Sequence, residues 1–114
     1  MSKWTDITAA VLNIENEVES GDYEKIEQCC SEYISRGGRM PEDVLAGAQL
    51  LLAHSKAMNG KTAEARGEHE KAMKLLERKA DGSELLNVAS EAMNCSLPDD
   101  YCASLMHLSA ERLT

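Results

Sequence analysis

Apolar residues recur every three or four positions along most of the chain, and each run is cut by helix-ending punctuation. The cuts fall at Gly21, Gly37-Gly38, Asn59-Gly60, Asp81-Gly82 and Ser96-Leu97-Pro98. That period belongs to the buried stripe of an α-helix, and interruptions this short make successive helices antiparallel neighbours. Strands would call for aromatic and β-branched residues, and the chain has no Phe, one Trp and three Tyr. It is rich in Ala, Leu, Glu, Met and Lys, the strong helix formers. The expected class is all-α: six helices arranged as three antiparallel hairpins.

The first helix is expected over 5–20, with Trp4, Ile7, Val11, Ile14 and Val18 on its buried stripe and Asn13 among the outward residues. The second runs over 23–36, capped by Asp22, with Tyr23, Ile26, Cys30, Tyr33 and Ile34 inward. The connection Gly37 to Pro41 is the clearest break, with Pro41 as a first-turn proline. The third helix, 41–58, carries the widest apolar surface: Val44, Leu45, Ala48, Leu51, Leu52 and Ser55, broadened by Leu50 and Ala53. A stripe that wide belongs to a helix packed on more than one side, so this helix is expected at the centre. The fourth, 62–79, turns Ala65, His69, Ala72, Met73 and Leu76 inward. The fifth, 83–94, is announced by the capping-box spacing of Asp81 and Glu84, and the sixth covers 98–113.

A chain of 114 residues allows one ordinary domain, expected to span 1–114. No apolar run is long enough to cross a bilayer, and the N-terminal Met-Ser-Lys-Trp-Thr-Asp reads as no secretory signal. The expected location is cytoplasmic. There the four cysteines, Cys29, Cys30, Cys95 and Cys102, stay reduced and act as small buried hydrophobes. The formal charge is −8, so phosphate backbones and anionic membranes are poor partners and a basic protein is a better one. The asymmetry is local. Residues 1–35 hold eight acidic side chains against Lys3 and Lys25, a net −6, whereas residues 61–79 hold six basic and four acidic ones, a net +2.

Three stretches suggest a repeat. Gly21-Asp22-Tyr23-Glu24-Lys25-Ile26 lies between the first two helices, Gly60-Lys61-Thr62-Ala63-Glu64-Ala65 between the next two, and Asp100-Tyr101 opens the last. The pattern resembles the tetratricopeptide repeat, a helical hairpin of about 34 residues. Ala65 and Ala72 stand where that family places small residues after the inter-helix glycine, and Leu52-Ala53 where it places Leu-Gly. The first unit departs: Ile26 and Tyr33 occupy the small positions, and Asn13-Ile14 replaces Leu-Gly. The resemblance covers about two-thirds of the chain. It implies a right-handed stack of hairpins whose odd-numbered helices line a concave groove for a peptide or helix of another protein.

No catalytic motif emerges. Gly60-Lys61-Thr62 lacks the first glycine and the preceding strand of a phosphate loop, and His69-Glu70 lacks the second histidine of a zincin. Cys95, Cys102 and His107 are too widely spaced for a structural zinc site, and adjacent Cys29 and Cys30 point apart on a helix. His69 reads as filler on a hairpin seam, although it or His107 could approach a cysteine in the fold. Asp99-Asp100 suits a helix start. No catalytic residue, metal or cofactor is expected. The six methionines are expected mostly in the core, with one or two lining a groove.

The expected function is a non-catalytic protein-interaction module, an adaptor or small chaperone. Its partner-binding residues are taken as Leu45, Gln49, Leu52 and Lys56 on the central helix, with Glu15 and Glu19 on the acidic first hairpin. The partner is another protein that is basic or presents an amphipathic helix; a second copy of the chain is a further candidate. The alternative is an acidic inhibitor, of the kind phages and plasmids encode, that blocks a basic nucleic-acid-binding surface. For it Glu15, Glu17, Glu19, Asp22, Glu24 and Glu27 would share one face.

Overall fold

A computed structural model of the chain describes residues 3–36 and 41–113; the expected Gly37–Met40 break lies outside them. Among the described residues every regular element is a helix, and there are seven: α1 Lys3–Leu12, α2 Glu15–Ser20, α3 Tyr23–Ser35, α4 Glu42–Met58, α5 Thr62–Leu76, α6 Gly82–Asn94 and α7 Asp99–Leu113. Among the described residues no helix is long and apolar enough to cross a membrane.

The seventh element comes from a break in the expected first helix. Asn13 adopts a left-handed conformation with φ 57°, and the Ile14 amide reaches back to the Ala9 carbonyl at 3.0 Å while the Asn13 amide bonds Ala10 at 3.2 Å. These two bonds are the Schellman closure, which ends a helix on one left-handed residue. The same closure ends α4 at Gly60 and α6 at Ser96, whereas at left-handed Gly21 the Gly21 and Asp22 amides both reach the Glu17 carbonyl. Asn tolerates that conformation where a branched residue does not. Asn13→Val should therefore lower stability by about 1–2 kcal/mol, whereas Asn13→Gly should hold or raise it, as read from thermal denaturation midpoints.

The two amino-terminal caps follow from the sequence. Asp22 accepts the Lys25 amide at 3.3 Å, and Asp81 accepts the Glu84 amide at 2.8 Å. Each satisfies one of the unpaired donors that open a helix.

Helix α4 is the axis of the molecule. Helices α1, α3 and α5 all pack on it, and ten of its residues are buried, from Val44 to Ser55. The first two expected helices do not form a simple side-by-side hairpin, because α1 and α3 each pack more closely on α4 than on one another. Helices α6 and α7 make a second tight pair. Two apolar clusters result. One, with Ile26, Cys30, Leu51 and Leu52, joins the first three helices to α4. The larger runs from Leu50 and Leu76 through Leu85 and Val88 to Leu105, and it takes in Trp4 from the opposite end of the chain.

The facing of α1 differs from its apolar period. Ile7 and Val11 stand out at 44% and 57% exposed, and Trp4, Thr5, Thr8 and Ala9 are buried instead. The cause is Gly47 on α4. A methyl group built there would run into Thr8 Oγ1 and the Trp4 carbonyl, so the two helices cross nearly backbone to backbone. Only small or slender side chains fit such a crossing, and Thr8 fills it by donating Oγ1–H to the Val44 carbonyl at 3.0 Å. The methionines also fall mostly outward: Met73 is core, whereas Met58, Met93 and Met106 are exposed.

Candidate functional site

The break at Asn13 opens a trough. With α1 ended and α2 set at a new angle, Asp6 and Ala9 of α1 face Glu15, Val18 and Glu19 of α2 across about 440 Å3. Ala9 and Val18 supply an apolar floor, and three carboxylates supply the rim. Asp6, Glu15 and Glu19 have no cationic partner among the described residues. A smaller groove of about 260 Å3 lies between α1 and α3, where Val11, Leu12, Cys29 and Tyr33 meet Glu32 and Arg36. Exposed Ile7 and Val11, one helical turn apart, add a bare apolar strip to α1.

Three of the other acids of this half are already engaged. Glu17 pairs with Lys25 at 3.2 Å, and a backbone hydrogen bond, followed by that contact, holds its carboxyl below the usual range. Glu27 accepts from Lys61 at 2.9 Å and Asn59 at 3.3 Å, tying α3 to the α4–α5 turn, and its carboxyl is lowered by the Lys61 contact first. Asp22 caps α3. The six acids therefore do not act as one uniform face; Glu15, Glu19 and Glu24 remain open, and of these Glu15 and Glu19 line the trough with Asp6.

The expected groove on the central helix is mostly covered. Leu52 is 4% exposed inside the first cluster and Gln49 is 7% exposed, because α1, α3 and α5 close over α4. Leu45 is half-buried. The Lys56 ammonium lies between Glu64 and Glu68 of α5, 3.8 and 3.6 Å away. Of the six residues chosen from the sequence, the structure brings Glu15 and Glu19 together in an open trough and leaves Gln49 and Leu52 in the interior.

A second constellation joins residues far apart in sequence. Cys95 Sγ, at the end of α6, lies 2.7 Å from His54 Nδ1 on α4. Beside them His69 Nδ1 on α5 meets the Tyr101 hydroxyl of α7 at 2.6 Å, while its Nε2 is buried with no hydrogen-bond partner. Both contacts bind the α6–α7 pair to the rest of the molecule. Burial pushes the Cys95 thiol up to about 12 and pulls His69 down to about 4; it also lowers His54. All three groups are therefore held neutral near pH 7. Among the described residues no three His, Cys, Asp or Glu side chains gather as a metal site, and all four cysteines are free.

No protein-family model matches the chain, and no curated protein or solved structure matches it.

Proposed function

We propose that this chain is a non-catalytic protein-interaction module, and that the trough between α1 and α2 is where it takes hold of its partner. The observation that carries this reading is the placing of three unpaired carboxylates around the apolar floor of Ala9 and Val18. A soluble helical protein leaves apolar surface of this kind open chiefly where something docks. The complementary occupant is an amphipathic helix that carries Lys or Arg on one edge and small apolar anchors on the next. Its cations would enter the Asp6–Glu15–Glu19 rim, and its apolar anchors would rest on Ala9 and Val18. The tetratricopeptide-like stack is the architecture this proposal favours for the remaining hairpins. The four unpaired thiols suit a reducing compartment such as the cytoplasm.

The same carboxylates favour a narrower second reading, an inhibitor that covers the basic nucleic-acid-binding face of its target. Such a partner would be displaced by its own nucleic acid, whereas an adaptor's partner would not.

The test uses a synthetic lysine-edged amphipathic helix and titrates it calorimetrically against the folded protein. Binding should be saturable and should weaken about tenfold or more on going from low to high salt, since exposed charges are screened beyond about 8–10 Å. The combined substitutions Asp6→Lys, Glu15→Lys and Glu19→Lys should abolish it. An equal affinity for the unmodified and charge-reversed proteins would remove the trough from consideration.

A further inference from the structure

The cleft that joins α4, α5 and α6 holds a thiol, an imidazole against it and a second imidazole with a free nitrogen, and neither helix packing nor the trough makes use of that chemistry. We propose that Cys95 is a stoichiometric oxidation site for hydrogen-peroxide-sized oxidants, with His54 taking the thiol proton and His69 Nε2 holding the incoming oxygen.

The geometry carries the assignment. His54, His69 and Cys95 line one cleft, walled by Leu50 and Leu97, with half-buried Glu91 also in its lining. Its interior of about 10 Å3 has room for one water-sized oxygen, so a peroxide would enter one oxygen first, the other toward the opening, and bulky reagents are excluded. His69 is 4% exposed. With the Tyr101 hydroxyl donating to Nδ1, the ring proton of neutral His69 sits on Nε2, a buried donor without an acceptor. Buried donors of this kind are seldom left unpaired, and a small oxygen-bearing ligand would satisfy it. Cys95 is buried from bulk solvent but lines the same cleft as both imidazoles, so the cleft is its route to a small oxidant.

The reaction balances with one peroxide. Sulfur attacks one peroxide oxygen, an S–O bond forms, and the O–O bond breaks. The thiol proton passes to His54 Nδ1 and is then returned to the departing hydroxide as water. Sulfur gives up two electrons and the peroxide takes them, leaving a sulfenic acid. Because burial keeps the thiol protonated, its proton leaves with the attack rather than before it, and neutral His54 is the acceptor at hand. The titratable groups around the pair are Tyr23 of α3, whose ring lies 5.4 Å from that of His54, then His69 of α5, Glu91 of α6, and Tyr101 and Cys102 of α7.

The mechanism gives a distinctive pH profile. A free thiol reacts through its thiolate, so its rate climbs about tenfold per pH unit below a pKa of about 8.5. Cys95 should instead react at a level rate from about pH 7.5 to 8.5, because His54, lowered from 6.5 by burial, is neutral across that range. A free cysteine derivative, N-acetylcysteine, serves as the comparison.

The experiment treats the folded protein with hydrogen peroxide, unfolds it in a sulfenic-acid trap and maps each cysteine by mass. Cys95 should gain one oxygen at a level rate while N-acetylcysteine treated alongside follows the thiolate slope, and His54→Gln should slow Cys95 about tenfold or more. If Cys95 stays unmodified in the folded protein, shares the slope of N-acetylcysteine, or reacts unchanged in His54→Gln, the assignment fails. If His54→Gln loses helicity, the pH profile of the unsubstituted protein decides alone.

Discussion

Gly47→Ala should destabilise the protein by about 3 kcal/mol, an unusually large effect for the addition of one methyl group. Elsewhere in a helix the same change is favourable by about 1 kcal/mol, because Ala is the better helix former. Here the new methyl would meet two atoms of α1, Thr8 Oγ1 and the Trp4 carbonyl oxygen. A side chain can rotate away, but a helix backbone cannot move without carrying Trp4 out of the large cluster. Thr8→Ala alone should cost only about 1 kcal/mol, the value of its bond to the Val44 carbonyl. The double variant Thr8→Ala/Gly47→Ala should recover little, since the carbonyl obstruction stays. Urea denaturation of the four proteins checks this; full recovery in the double variant would place the obstruction in the side chain alone.

The second large effect is a fall in stability with acid that traces to one ring. Burial lowers His69 to about 4 in the folded protein, against 6.5 when unfolded. Below pH 6.5 the unfolded chain therefore binds a proton that the folded chain refuses. Stability is full above that point and is lost as pH falls toward 4, by about 3 kcal/mol in all. His54 is shifted in the same direction and adds to the fall. Glu17 and Glu27 also lose favourable contacts in acid, but they titrate from the lower reference of 4.5. The window between about pH 6.5 and 5 thus belongs to the histidines. His69→Gln should flatten the stability profile there, at the expense of some stability at neutral pH through the lost Tyr101 contact. Chemical denaturation at half-unit pH steps reads both effects, and an unchanged slope in the variant would assign the acid sensitivity elsewhere.

Much of the helical frame can be read from local sequence. The caps at Asp22 and Asp81 follow from spacing, and the centrality of α4 follows from the width of its apolar surface. The break after Leu12 does not, because Asn13 can end a helix without the glycine that marks Gly21 and Gly60. The facing of α1 is hidden for a different reason. Ile7 and Val11 have the right period for burial, but the close crossing at Gly47 selects against bulk, and that is a property of two helices together. The acidity around Glu15 and Glu19 was visible as charge, whereas their alignment with Asp6 depends on the break. The His54–Cys95 contact spans 41 positions, and no local spacing could have announced it.

Trp4 lies in the same cluster as Leu85, Val88 and Leu105, and neighbouring Lys3 reaches Glu84 at 3.0 Å. Helix α1 thus completes its burial on residues synthesised well after it. During translation α1 would wait, partly uncovered, until α6 and α7 left the ribosome. Amide exchange in α1 should accordingly rise and fall with that of α6, and trimming the carboxyl end should loosen the amino end.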